Sequence, residues 1–347
     1  MDVHPFSEAY LGATLDFAQR ARPAFAFSWA DDEALFRWKY AHPLHRLPGQ
    51  ELPAWIVREG ERVVGFLGSM PVEFWHGGRT LPGNVAMDLF LEESCRGRGA
   101  VGELLRLYEA SAPLSLMLVS SERAHAIYLR RGYRNLPGLC SRFHAWSARD
   151  AARWLLRRLK IARFAPGPPA PADALREWLA AQPGVAVLAP GETGAADDLL
   201  RRHQRAHATA PRRTVASLIW RHREHPARHG EIFTLRDQGV LKAVFALCNR
   251  RLAGPPMLVL ADLFLAEPDD EATVRRVVDL CRRLLGPAGA HALNTVGPPC
   301  LAARVLAESA LIARARPLRC SLRVEGGDAG VDPARCYVSA GDGDYIR

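Results

Sequence analysis

The clearest alternation of apolar runs and polar turns lies between residues 84 and 133. Residues 84–91 form an apolar run typical of a β-strand, and residues 102–110 carry leucines at helical spacing. A continuous apolar run at 114–119 predicts a buried strand, and the stretch after it predicts a helix that ends at Gly132. The segment therefore has the predicted order strand, glycine turn, helix, strand, helix.

The residues before this segment predict two helices followed by an antiparallel meander. Residues 1–45 have helical periodicity, which stops before a proline. Residues 54–58 and 62–74 are rich in β-forming side chains and are separated by Glu-Gly-Glu, which is a hairpin signal. A second turn at 76–78 leads into the strand at 84–91, which the meander places in the centre of a sheet.

The pattern changes between residues 148 and 184. Leucine, isoleucine and tryptophan alternate there with arginine and lysine, and a proline-rich run follows at 165–171. This composition indicates a basic amphipathic helix and a stiff linker. A bridge between two lobes is favoured over a helix that lies on an anionic membrane surface.

The second half of the chain repeats landmarks of the first half in the same order. The repeat predicts an α/β chain of the α+β type, with two tandem units that each contain a mixed, mostly antiparallel central sheet flanked by helices. The predicted division is a first domain at 1–147, a helix and linker at 148–184, and a second domain at 185–347. The segments 38–43, 54–74 and 88–92 correspond to 220–226, 231–247 and 262–267.

Composition supports two domains and narrows the class of protein. A chain of 347 residues with 48% hydrophobic residues exceeds one comfortable core. No apolar run reaches membrane-spanning length and no leader pattern is present at the start, so a soluble, cytoplasmic protein is expected. Seven cysteines without a C-x-x-C pair favour reduced thiols, with no metal site.

The positive charge of the chain is carried almost entirely by arginine. The formal net charge is +9, and only Lys39, Lys160 and Lys242 are lysines. The arginines are spread along the chain and no nucleic-acid recognition motif accompanies them, so nucleic acid is not the expected partner.

A short turn rich in arginine and glycine precedes the helix at 102–110. In the run Arg96-Gly97-Arg98-Gly99-Ala100-Val101-Gly102, the glycines allow several backbone amides to point into one concavity at the positive end of a helix. The two arginines add full positive charges. A phosphate or diphosphate is the expected ligand, and the alternative is a turn that only caps the helix.

A second motif follows the turn at a fixed distance: Ser121-Glu122-Arg123-Ala124-His125-Ala126-Ile127-Tyr128, and then Arg131-Gly132-Tyr133. Together the two motifs resemble those of the GCN5-related N-acetyltransferase superfamily, in which Arg/Gln-x-x-Gly-x-Gly/Ala precedes Asn-x-x-Ala-x-x-x-Tyr and a Gly-Phe/Tyr pair. The resemblance covers about residues 50–140 and indicates a tandem-domain member. Val101 and Ser121 depart from the family pattern, where glycine or alanine and asparagine are usual.

The resemblance implies an acyl-CoA-dependent N-acyltransferase, most simply an N-acetyltransferase that uses acetyl-CoA and no metal. The acceptor would be a primary amine of a small molecule, an amino sugar or a peptide. Tyr128 corresponds to the family's general acid, and Trp38 and Tyr40 could line the acceptor pocket. The implied cofactor-binding residues are Leu89, Phe90, Leu91, Arg96, Gly97, Arg98, Gly99, Ala100, Val101, Gly102, Ser121 and Ala124.

The general base is open between Asp88 and Glu73, which lie on neighbouring strands. Asp88 recurs as Asp262 in the second half, where the glycine turn is missing, and this recurrence favours a structural role for the aspartate. After that second strand the chain carries four acids between residues 267 and 271, which would repel a diphosphate. The second domain is therefore expected to be a degenerate copy.

Two other functions are compatible with the sequence. The departures at Val101 and Ser121 suit a non-catalytic scaffold or sensor that binds coenzyme A. The basic charge suits an aminoacyl-tRNA-dependent transferase of the FemX-like kind, although the arginine-glycine turn favours coenzyme A.

Overall fold

The computed structural model divides the chain into two compact units. The first unit comprises Met1–Leu136 and Arg319–Val331, and the second comprises Pro137–Leu318 and Asp332–Arg347. Of the basic helix and proline-rich linker predicted at 148–184, residues 148–171 lie outside the described residues, and Ala172–Ala180 form a helix of the second unit. The structure describes residues 1–22, 29–42, 51–119, 122–145, 172–226, 230–250, 257–286, 290, 292–297, 305, 312–326 and 336–338.

The helices and strands are numbered in chain order. The helices are α1 (Leu11–Ala21), α2 (Glu33–Tyr40), α3 (Ala100–Ala110), α4 (Glu122–Arg130), α5 (Ala172–Ala180), α6 (Thr193–Arg205), α7 (Val215–His222) and α8 (Glu271–Leu284). The strands are β1 (Asp2–Pro5), β2 (Ala54–Glu59), β3 (Arg62–His76), β4 (Arg79–Leu91), β5 (Leu114–Val119), β6 (Arg134–Ala145), β7 (Val185–Val187), β8 (Thr209–Pro211), β9 (Gly230–Asp237), β10 (Val240–Arg250), β11 (Met257–Leu265), β12 (Ala292–Gly297) and β13 (Ile312–Val324).

The first unit contains a sheet with the order β1-β2-β3-β4-β5-β13. Its strands are antiparallel except for β4 and β5, which run parallel. The predicted meander is β2 to β4, and the hairpin between β2 and β3 turns at Gly60, whose φ of +61° favours glycine. The mixed, mostly antiparallel sheet predicted for this half is confirmed.

Apolar side chains of α3 and α4 pack against this sheet in one buried cluster, here called the α3–α4 cluster. Burial of these side chains fixes both helices on the sheet, since removal of apolar surface from water is the main favourable term in folding. The cluster consists of Trp55, Val57, Val64, Leu67, Leu91, Cys95, Ala100, Leu104, Leu105, Tyr108, Met117, Tyr128 and Tyr133.

The second unit contains a sheet with the order β7-β9-β10-β11-β12-β6. Here again the fourth and fifth strands, β11 and β12, are parallel and the other pairs are antiparallel. Helices α5 and α8 pack on this sheet through a core of leucine, valine and phenylalanine. The duplication predicted from the three landmarks is therefore present as two sheets of the same strand order.

The sixth strand of each sheet comes from a distant part of the chain. Residues 319–324 of β13 pair with β5 in the first unit, and residues 140–145 of β6 pair with β12 in the second unit. The domain boundaries predicted at residues 147 and 185 do not include this exchange of strands. The hydrophobic pattern specifies that a segment is a strand, but it does not specify the distant strand with which the segment pairs.

None of the described helices combines the length and apolar character needed to cross a lipid bilayer.

Candidate active site

The arginine-glycine turn of the first unit is open at its surface. Gly97 and Gly99 have φ values of +79° and +86°, and Gly99 is the N-cap of α3 without any side-chain cap. A Cβ atom built on Gly97, Gly99 or Gly102 would meet no heavy atom within 4 Å. No heavy atom of the described residues therefore packs against the side-chain positions of these three glycines.

The backbone amides of this turn are available to a ligand. Across the described part of the chain, the amides from Gly97 to Gly102 have no acceptor, and the first intrahelical bond is donated by Glu103 to Gly99 at 3.2 Å. Amides in such a row at the positive end of a helix are the kind of group with which proteins bind anions.

Exposed arginines stand beside these amides. Arg98 contacts Glu59 at 3.1 Å, and Arg96 lies 3.7 Å from Glu93 and over the Phe90 ring. All four charged side chains are at least 44% exposed, so these ion pairs are weak and an anion can compete for the arginines. A depression of about 580 Å³ borders the turn and is lined by Met1, Asp2, Val3, His4, Arg98, Gly99, Ala100 and Glu103.

Strands β4 and β5 separate next to this turn. They pair from Gly83–Leu114 to Val85–Leu116, whereas β4 continues to Leu91 and β5 to Val119. We call the space between these unpaired ends the β4–β5 gap. Residues 89–91 of β4 and 116–119 of β5 lie on the two sides of this gap.

The backbone groups of Leu91 point away from β3. Glu92 donates its amide to Val64 of β3 at 2.9 Å, and backbone groups of successive extended residues point to opposite edges of a strand. The amide and carbonyl of Leu91 therefore lie on the side of β4 that faces the gap.

Asp88 is a buried anchor in the structure. It sits in a β-bulge opposite Leu67 and has a left-handed φ of +50°. One oxygen, Oδ2, accepts hydrogen bonds from Trp29 at 2.8 Å, Lys39 at 2.5 Å and Tyr40 at 2.7 Å. With this ion pair and two neutral donors, the carboxylate holds the bulge that precedes Leu89.

Glu73, the other predicted base, lies far from Asp88. It is exposed and its register partner on β4 is Pro82, six residues before Asp88. At about 3.3 Å per residue this places the two carboxylates about 20 Å apart along the strand. The structure therefore does not bring Glu73 and Asp88 together.

Tyr128 lies inside the α3–α4 cluster, which also contains Leu91 and Met117 from the two sides of the gap. Burial, and then the negative charge of Glu109, raise the pKa of Tyr128 well above its usual range. The phenol consequently stays protonated at neutral pH, as a general acid requires. Ala124 is half-buried against the same cluster, and Ser121 lies outside the described residues.

Several residues of this region were not predicted. Lys39 and Trp29 complete the Asp88 network, and Glu109 forms a bidentate pair with Arg131 at 2.7 and 2.6 Å, which ties α3 to the end of α4. The family resemblance implied that Tyr40 lines the acceptor pocket, whereas in the structure its hydroxyl donates to Asp88 Oδ2. These partners lie far apart in the chain and meet only in the folded structure. Among the described residues no group of three histidine, cysteine or acidic side chains could hold a metal ion.

The corresponding edge of the second unit is occupied by the chain itself. The Tyr337 hydroxyl donates to the Leu263 carbonyl at 3.0 Å, and the Leu265 amide donates to His203 Nδ1 at 3.3 Å. Asp270 caps α8 by accepting from the Thr273 amide at 2.9 Å. Among the described residues, the first unit has backbone groups without partners at this strand edge and a helix without a side-chain cap. In the second unit, the strand edge is bound by Tyr337 and His203, and the helix is capped by Asp270.

The buried side chain of His203 is expected to lower the free energy of unfolding in mild acid. Burial, and then the charge of His207, lower the pKa of His203 to about 3. The unfolded chain then takes up the proton first as pH falls below about 6.5, so stability is complete above that pH and declines toward pH 3. We expect a loss of about 2 kcal/mol from this group at pH 5, measured by urea unfolding at pH 7 and pH 5. An H203Q variant should lose less stability over this range, and an equal loss would contradict the assignment.

Comparison of structures finds proteins with a similar fold, whereas comparison of sequences finds no match. The sequence matches no family model and no curated protein sequence. A GCN5-related N-acetyltransferase from Anabaena variabilis superposes with a TM-score of 0.58 at 13% identity, over 93% of this chain and 72% of that one. A GCN5-related N-acetyltransferase from Kribbella flavida gives 0.57 at 15% identity, over 93% and 70%.

Saccharomyces cerevisiae N-myristoyltransferase with bound myristoyl-CoA is also similar. It superposes with a TM-score of 0.59 at 10% identity, over 96% of this chain and 83% of that one. These likenesses confirm the predicted fold class, with two tandem units of the same kind. The chain has the fold of the GCN5-related N-acetyltransferases and of N-myristoyltransferase.

Proposed function

We propose that the protein is an acyl-CoA-dependent N-acyltransferase whose active site lies in the first unit. The simplest reaction is transfer of an acetyl group from acetyl-CoA to a primary amine of a small molecule, an amino sugar or a peptide. The observation that carries the proposal is the uncapped turn from Gly97 to Gly102, whose amides have no acceptor in the described structure.

The residues of this region fit coenzyme A, which supplies the acyl group as a thioester. The amides of Gly97–Gly102 and the arginines Arg96 and Arg98 would hold the diphosphate. The backbone groups of Leu89 and Leu91 would hold the amides of the pantetheine arm, as a neighbouring strand would.

Tyr128 is the proposed general acid. Its phenol is protonated at neutral pH and would give this proton to the departing thiolate. Asp88 is assigned to the support of the bulge, because its carboxylate is already bound by a lysine and two neutral donors. Glu73 lies too far along β3 to share this site.

One bound acyl-CoA per chain is expected, because the described residues of the second unit contain no counterpart of the open turn. Its α8 is capped by Asp270 and its strand edge is bound by Tyr337 and His203. The acidic start of α8 would also repel a diphosphate.

The test combines binding with turnover. Calorimetry should give one site per chain for acetyl-CoA, and free thiol should appear when amines, amino sugars or peptides are added. A Y128F variant should bind acetyl-CoA normally but release thiol roughly 10²–10⁴-fold more slowly, which is the range for loss of a general acid. Equal rates for Y128F and the native chain would remove Tyr128 from the chemistry.

The same assays test the length of the acyl chain and the two alternative functions, a coenzyme A sensor and an aminoacyl-tRNA-dependent transferase. Because the similar yeast structure holds myristoyl-CoA, the thioesters should range from acetyl to myristoyl. Binding without thiol release from any acceptor would favour a sensor. Protection from heat by charged tRNA and not by acyl-CoA would favour aminoacyl transfer.

A further inference from the structure

The last turn of α3 contacts the closed end of the β4–β5 gap. The Tyr108 side chain is fully buried, and its hydroxyl lies 3.0 Å from the carbonyl oxygens of both Asn84 and Leu116. Val85 and Leu116 form the last pair between β4 and β5. The Tyr108 hydroxyl therefore sits at the point where the two strands stop pairing.

The contact between α3 and β4 is reciprocal. Asn84 donates from Nδ2 to the Tyr108 carbonyl at 3.0 Å and to Ser111 Oγ at 2.6 Å. Asn84 has no exposed surface. Burial also raises the pKa of Tyr108 well above its usual range, so its hydroxyl remains a donor at any working pH. The end of α3 is thus fixed to both strands by buried hydrogen bonds.

The other end of the same helix is the open turn. From Ala100 to Tyr108 the axial distance is about 12 Å, at the rise of an α-helix. A rigid helix anchored at its last turn holds the amides before its first turn at a constant distance from the gap. This distance affects binding, because a ligand that extends from the turn into the gap must contact the amides of the turn and the strands of the gap at the same time.

We propose that Tyr108 is a positioning residue that sets the spacing between the arginine-glycine turn and the β4–β5 gap. The inference rests on the proposed function, since the ligand that uses both places is an acyl-CoA. Tyr108 acts through the carbonyls of Asn84 and Leu116, which its hydroxyl contacts.

The experiment compares two ligands by calorimetry. Coenzyme A occupies both the turn and the gap, whereas 3′-phosphoadenosine 5′-diphosphate lacks the pantetheine arm and occupies only the turn. A Y108F variant keeps the ring and loses the hydroxyl. We expect it to bind coenzyme A about tenfold more weakly, as for the loss of one buried hydrogen bond, and to bind the diphosphate as the native chain does.

The matched control is Y337F, which removes a tyrosine hydroxyl from a strand carbonyl in the second unit and should change neither affinity. Equal weakening of both ligands by Y108F, or no weakening of coenzyme A, would overturn the inference. Failure of the native chain to bind either ligand would instead refute the proposed function.

Hydrogen exchange tests the contact without a ligand. In Y108F the amides of residues 83–85 and 114–116 should exchange faster, while β9 and β10 remain as in the native chain. Unchanged protection at 83–85 and 114–116 would show that the hydroxyl does not hold the end of the gap.

Discussion

An R98E/G99D double variant is expected to abolish binding of acetyl-CoA. Each substitution places a carboxylate where the turn now offers an arginine and an open amide. Two like charges about 4 Å apart repel by about 4 kcal/mol at an effective dielectric constant of about 20, which is roughly a thousandfold loss of affinity. The measurement is calorimetry with acetyl-CoA.

Charge must be separated from backbone strain in this experiment, because Gly99 has a left-handed φ of +86°. The control is R98Q/G99N, whose side chains have nearly the same shape without the negative charges. Asparagine and aspartate both tolerate the left-handed region, and aspartate at a helix start stabilises the helix. The control should bind measurably more tightly than R98E/G99D. Native affinity in R98E/G99D, with its fold intact by circular dichroism, would remove the turn from the site.

A K39M variant is expected to lose a large part of the stability of the first unit. The Lys39–Asp88 pair is buried, with 4% and 0% of the side chains exposed. Removal of one partner from a buried ion pair leaves an uncompensated charge and costs about 3–5 kcal/mol. Urea unfolding monitored by tryptophan fluorescence measures this loss, since Trp29 donates to the same carboxylate.

The same helix provides the control for this prediction. Arg37 pairs with Glu33 and Glu8 at the surface, so R37M should cost at most about 1 kcal/mol. A K39M/D88N double variant removes both charges and should recover part of the loss, because no charge is left buried. A K39M cost as small as that of R37M would show that the pair does not hold the bulge.

Local patterns were enough to predict the segment around the site. The run from β4 through α3 and β5 to α4 has periodicities and glycines that each depend on residues close in sequence. The turn before α3 was predicted for the same reason, since Gly97 and Gly99 are needed wherever the backbone takes a left-handed conformation.

The role of Asp88 depended on distant contacts. In the sequence, Asp88 is a carboxylate on the strand beside the turn, a position that suits a general base. Only the recurrence of this aspartate as Asp262 indicated a structural role. In the fold its carboxylate meets Lys39 and Tyr40, some fifty residues away in the chain. Asp262 is likewise engaged, by His222 at 3.0 Å. Such partners follow from the packing of a helix on a sheet, which has no local signal.

The amino-acid sequence by itself determined the duplicated order of elements, the open glycine turn at the start of α3 and the absence of that turn from the second half, since each depends on residues near one another in the chain. Only the tertiary structure showed which strands complete each sheet, that Asp88 is a buried anchor, that Glu73 lies far from Asp88, and that the Tyr108 hydroxyl contacts both strands where their pairing ends. These features arise from hydrogen bonds and burial between segments far apart in sequence, whose pairing is selected by the free energy of the whole fold.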